Sequence, residues 1–132
     1  MSVAPVASYR LSAIHGTPYP NKLLDLSYTL PETQLRILNL IVRNTLGWQS
    51  DTPGYRRAQV QISLNQIKKK IERVSMTPVI EALYALMQAG IVEGVNLDDS
   101  PLDMYALSRK HYRPVRLSIA RAWVEEDVQI GG

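Results

Sequence analysis

The stretch "RVSMTPVIEALYALMQAGIV", Arg73–Val92, decides how the chain is read. Ser75 stands at an N-cap position ahead of an apolar run, and Gly90 stands where such a helix ends. On a wheel of about 100° per residue, Val79, Ala82, Leu83 and Leu86 fall on one stripe, which predicts a buried face. Met76, Ile80, Tyr84 and Met87 form a second apolar stripe beside it. The polar edge that remains is narrow: Thr77, Glu81 and Gln88, with Ala85. The layout is that of the second helix of a helix-turn-helix, yet no Lys or Arg follows Ser75 within it.

Just upstream, "AQVQIS" alternates as a short strand does, and Ser63 with Gln66 has capping-box spacing at the start of another helix. Leu64, Ile67 and Ile71 point that helix inward and Lys68, Lys69 and Lys70 project around its outside. Further back, "TLPETQLRILNLIVRNTLG" predicts a helix opened by a Thr29–Glu32 capping box, with Pro31 in its first turn and Gly47 as its stop. Leu35, Leu38, Ile41 and Val42, widened by Ile37 and Leu40, make it a central helix. "NKLLDLS" is a short helical turn opened by Pro20, "HGTPYPN" a turn-rich arm and "WQSDTPGYRR" a loop.

Downstream, "IVEGVNL" and "MYALSR" are strand candidates about the turn-forming "DDSPLD", and together they predict a β-hairpin. The tail "RPVRLSIARAWVEEDVQIGG" reads as a strand or turn followed by a helix through Ile119, Ala122, Trp123 and Val128. The fold class expected is mainly α with a small β-hairpin, a winged helix-turn-helix. The expected division is an N-terminal arm at 1–20, the winged-helix domain at 21–116, and a C-terminal helix and tail at 117–132.

Two segments carry a resemblance. "TPYPNKLLDLSYTLPETQLRILNLIVRNTLGW" pairs a Pro-Asn-leucine opening with an amphipathic helix ending in Arg43, Thr45, Gly47 and Trp48. "ISLNQIKKKIERVSMTPVIEALYALMQAGIV" places Val79, Leu83, Leu86, Gly90 and Val92 on a helix-turn-helix core pattern. Together they resemble the N-terminal winged-helix domain of phage replication protein O and related replication initiators, over roughly His15 to Val92. The resemblance implies origin-DNA binding at replication initiation by a dimer, and later recruitment of the replicative helicase. Family members carry a further C-terminal region for helicase contacts, which is not expected within these residues. Their recognition helix commonly begins with basic or hydroxylated residues, whereas Met76, Thr77 and Pro78 stand here.

The charge distribution agrees with a polyanionic partner. The net charge is only +3, but basic residues gather at Arg56 and Arg57, at Lys68–Arg73, and at Arg109, Lys110, Arg113 and Arg116. The acidic "DDSPLD" turn is a poor phosphate binder and is not expected to enter a groove deeply. There are 132 residues and no cysteine, so one domain is expected, with no disulfide and no thiolate metal site. Apolar runs fall short of a membrane span and the N-terminus lacks a secretory pattern, so the chain is expected in the cytoplasm. His15 and His111 stand in no metal-ligand spacing and the glycines are isolated, so neither catalysis nor a cofactor is expected.

The expectation is therefore a DNA-binding protein of a phage, plasmid or mobile element that acts in replication initiation. Its partners would be double-stranded DNA, a second copy of the chain and a replication or helicase-loading protein. Thr77 and Glu81 are the candidate base contacts. Arg56, Arg57, Lys68, Lys69, Lys70, Arg73 and Ser75 are the candidate backbone contacts. Two alternatives stay open: a transcriptional regulator, and a protein-interaction module that docks its partner on Met76, Ile80, Tyr84 and Met87.

Overall fold

Apolar spacing and end signals divide the chain into short helices and strands, and a computed structural model describes residues 8–10, 17, 19–48, 55–124 and 129–131 of it. In chain order the elements are β1 (Ser8–Arg10), α1 (Asn21–Ser27), α2 (Glu32–Asn44), β2 (Tyr55–Arg57), β3 (Val60–Ile62) and α3 (Leu64–Lys70). They continue with α4 (Met76–Gln88), β4 (Val92–Val95), α5 (Met104–Ser108), β5 (Val115–Ile119), a 3-10 turn (Arg121–Trp123) and β6 (Gln129–Gly131). The helices accompany two antiparallel three-stranded sheets, ordered β3-β5-β4 and β2-β1-β6. In the first, Val60 faces Leu117 and Val92 faces Ile119.

The core lies between the helices and the β3-β5-β4 sheet. α2 contributes Ile37, Leu38, Ile41 and Val42, α3 contributes Leu64 and Ile67, α4 contributes Val79, Leu83 and Leu86, and β5 contributes Leu117, all buried. The expected inner stripe of α4 is thus its buried side. This element order is compatible with the one expected from the sequence.

α3 and α4 end in the same way. After α3, the Arg73 amide donates to the Lys68 carbonyl at 3.0 Å and the Glu72 amide to that of Lys69 at 3.2 Å. After α4, the Ile91 amide donates to Leu86 at 3.0 Å and that of Gly90 to Met87 at 3.1 Å. Each is a Schellman closure, which needs a residue in the left-handed region just past the cap. Gly90 meets that need at φ 71°, where a side chain would touch nothing within 4 Å. Glu72 occupies the equivalent place at φ 58° and carries the steric cost of its Cβ.

Several local expectations are corrected. Thr29 and Glu32 form no capping box: the Thr29 hydroxyl donates to the Leu26 carbonyl at 2.8 Å, so it closes α1 instead. Pro31 is the N-cap of α2, and the Glu32 carboxylate pairs with Arg36 at 2.8 Å. α2 stops at Thr45, whose hydroxyl donates to Ile41 at 2.7 Å, ahead of Gly47. Gly47 still has to be glycine, because a Cβ there would run into the Arg43 carbonyl.

The segment "MYALS" is a helix and not a strand. Asp103 caps α5 by accepting from the Tyr105 and Ala106 amides at 3.0 and 3.3 Å, and Met104 and Leu107 pack inward three residues apart. β4 therefore pairs with β5 (Val115–Ile119) across a long connection rather than within a tight hairpin. Ile119 lies in that strand, so the tail is not a helix from 117 onward; among its described residues only Arg121–Trp123 turns helically, and Val128 lies outside the described residues. The expected Ser63–Gln66 capping box is present with both of its bonds, at 2.9 and 3.2 Å.

The two closures predict opposite substitution effects. Glu72→Gly should raise the unfolding free energy by about 1 kcal/mol, and Gly90→Ala should lower it by about 1 kcal/mol. Urea melts of the two variants against the parent check both signs.

Candidate nucleic-acid interface

α4 is bounded on its inner side by the core, and its outer side meets solvent. Thr77, Glu81, Tyr84 and Gln88 are exposed and follow helical spacing, which puts them on one outward line. Thr77 and Glu81 were the expected base contacts and both lie on this line. Tyr84 was expected in the apolar stripe with Met76, Ile80 and Met87. Those three are half-buried and pack against the core, whereas the Tyr84 ring is 48% exposed. On a wheel of about 100° per residue Tyr84 lies as far from Glu81 as from Met87 and as near to Ile80 as to Gln88, so spacing alone left its side undecided. The partner surface kept open as an alternative does not form one exposed patch, since of its four residues Tyr84 alone is exposed.

At the C-terminal end of that stripe Met87 lies against β4. A Cβ on Gly94 in β4 would sit 2.9 Å from Leu102, 3.0 Å from Leu117 and 3.5 Å from Met87. Trp123 packs on the core and its indole N–H donates to the Gly90 carbonyl at 3.1 Å, at the end of α4.

The basic residues divide into those facing out and those built into the fold. Lys69 and Lys70 are exposed and Lys68 is half-buried, all on α3, one turn ahead of α4. Ser75 is exposed at the N-cap of α4 and makes no side-chain capping bond. Arg57 is exposed and stacks on Trp48 at 5.5 Å, with Arg43 against the same ring at 5.7 Å. Arg56, by contrast, is only 7% exposed, so the paired arginines do not act as one phosphate-facing unit.

Arg73 is likewise turned inward. Its guanidinium donates to the Thr33 hydroxyl at 3.0 Å and lies 3.8 Å from Glu32. Arg36 reaches across the same gap and donates to the Ile71 carbonyl at 3.0 Å. The two arginines tie the α3–α4 turn to the first turns of α2. The sequence pattern offered no signal for this, since the partners are 35 and 40 residues apart.

The acidic turn after β4 is also organised internally. The Ser100 hydroxyl and amide donate to Asp98 at 2.6 and 3.0 Å and hold its carboxyl below the usual carboxylate range. Asp99 pairs with Arg116 at 3.1 Å, which removes Arg116 from the outward-facing cations. Among the described residues, no group of three or more His, Asp or Glu side chains is placed to hold a metal ion, and no helix is long and apolar enough to cross a membrane.

The turn clamp predicts that Arg73→Ala acts on stability before it acts on binding. Loss of the Thr33 bond and the weaker Glu32 attraction at this partly exposed site should lower the unfolding free energy by about 1–2 kcal/mol. Thermal and urea melts measure it, and a variant as stable as the parent would place Arg73 among the surface cations. Comparison with protein-family models, curated proteins and solved structures gives no match for this chain.

Proposed function

We propose that this chain is a cytoplasmic winged-helix protein that binds double-stranded DNA, with α4 laid towards the major groove. The observation that carries the reading is the α3–turn–α4 unit. α4 keeps one uncovered line of hydrogen-bonding side chains, Thr77, Glu81, Tyr84 and Gln88, and the exposed lysines of α3 stand beside its start. The sheet order β3-β5-β4 behind it supports the winged-helix assignment. In this reading Thr77 and Glu81 read base edges, with Glu81 accepting from a cytosine amine. Lys68, Lys69, Lys70, Arg57 and the Ser75 hydroxyl hold phosphates. Arg56 and Arg73 support the fold and make no backbone contact.

The assignment to replication initiation, with origin DNA, a dimer and a helicase-loading partner, rests on the resemblance of the α1–α2 and α3–α4 segments. A transcriptional regulator would use the same surface. The protein-docking alternative is weakened because Met76, Ile80 and Met87 are half-buried.

Duplex binding measured against salt tests the reading. A random-sequence duplex of roughly 20 base pairs should bind at low salt, with affinity falling steeply as salt rises, at a slope of about 0.9 per phosphate neutralised. Replacing Lys68, Lys69 and Lys70 together by Ala should reduce that slope by about 2 to 3. No duplex binding at low salt, or an unchanged slope in the triple variant, overturns the proposal.

A further inference from the structure

A second surface, formed by α5 and the turn after it, is not used by the duplex reading. Tyr105 is 73% exposed and Tyr112 is 79% exposed, so two phenol rings stand in water with little packing. Arg109, Lys110 and Arg113 are exposed between and beside them. The Arg109 guanidinium lies 5.7 Å from the centre of the Tyr105 ring, one helical turn away. Neither Arg109 nor Lys110 takes part in an ion pair among the described residues, while Asp98 offsets part of the Arg113 charge.

The backbone that carries these side chains is fixed. Asp103 caps α5, the Lys110 amide donates to Leu107 at 3.0 Å, and the Arg113 amide donates to Lys110 at 3.0 Å. The His111 ring is hydrogen-bonded to the Ser108 carbonyl. The His111 carbonyl accepts from the Asn65 amide at 2.9 Å, which ties the turn to the first turn of α3. The rings are therefore presented on a closed turn held against the same helix that carries the lysines.

We infer that this turn is a binding site for single-stranded nucleic acid, with Tyr105 and Tyr112 stacking on unpaired bases and Arg109 and Lys110 neutralising the adjoining phosphates. Charge complementarity selects a polyanion, and the rings select which kind. Inside a duplex each base face is covered by its neighbours, so a phenol ring finds a stacking partner only where bases are unstacked. Stacking on a ring is tolerant of base identity, so the site discriminates strandedness rather than sequence. This surface is separate from the outward line of α4, and the inference does not depend on duplex binding there.

Fluorescence anisotropy with labelled oligo-dT and oligo-U of roughly 20 nucleotides, beside a duplex of the same length, tests the inference at low salt. The parent protein should bind at least one of the two single strands. Tyr105→Ala with Tyr112→Ala should weaken that binding roughly tenfold or more while duplex affinity changes by less than about twofold. The double Phe variant should keep single-strand binding, since the ring and not the hydroxyl stacks. A parent that binds neither strand, a double Ala variant that binds as the parent does, a Phe pair that loses as much as the Ala pair, or parallel loss on duplex and single strand each overturns the site. If the duplex is not bound and tyrosine-dependent strand binding persists, this inference stands and the duplex reading falls.

Discussion

The fold turns on how α4 is held. Its stripe of Val79, Leu83 and Leu86 is buried without remainder against α2 and the sheet. Deleting one such leucine side chain costs about 2–5 kcal/mol, a large part of the stability of a domain this size. That burial fixes the rotation of the helix about its own axis. Its ends are fixed separately. Arg36 and Arg73 tie the preceding turn to α2, and Gly90 closes the other end while its carbonyl receives the Trp123 indole. A helix held on one side and at both ends offers its outer side, where Thr77, Glu81, Tyr84 and Gln88 form a line of exposed hydrogen-bonding side chains.

In the proposed duplex reading, this arrangement separates affinity from discrimination. The outward line of α4 carries no cation, so attraction to a polyanion has to come from neighbouring elements. The lysines of α3 precede the clamped turn and share its fixed frame. Several other basic residues are structural: Arg36 and Arg73 brace the turn, Arg116 pairs with Asp99, and Arg56 is buried. Exposed cations remain on α3 and on the turn at His111, two elements joined by the Asn65 amide and the His111 carbonyl, and at Arg57 on β2.

Much of the helical framework was legible from apolar spacing. The inner faces of α3 and α4 lie where their periodicity put them, and the Ser63–Gln66 box is present as spaced; in α2 the expected Leu35 is only partly buried and Ile37 is fully buried beside Leu38, Ile41 and Val42. What spacing could not give was competition between neighbouring caps. Thr29 was equally suited to open α2 or to close α1, and the end of α1 took it. "MYALS" fits a strand or a helix over so short a run, and the Asp103 cap decided for the helix. The exposure of Thr77 and Glu81 was legible from spacing, but the burial of Arg56 and the pairing of Arg73 were not, because burial and long-range pairing do not show in local charge runs. Tyr84 stands at the border between the half-buried stripe and the exposed line, and spacing alone did not decide which side it would take.

The chain has no cysteine, so a single introduced thiol can carry a DNA-cleaving iron chelate to one chosen place. The most direct measurement compares duplex cleavage from Thr77→Cys and Gln88→Cys with cleavage from Asn39→Cys, on the exposed side of α2, whose buried side packs with α4. If the outward line of α4 faces the duplex, both α4 positions cleave bound DNA and position 39 does not. Equal cleavage from all three, or cleavage from position 39 alone, contradicts the account.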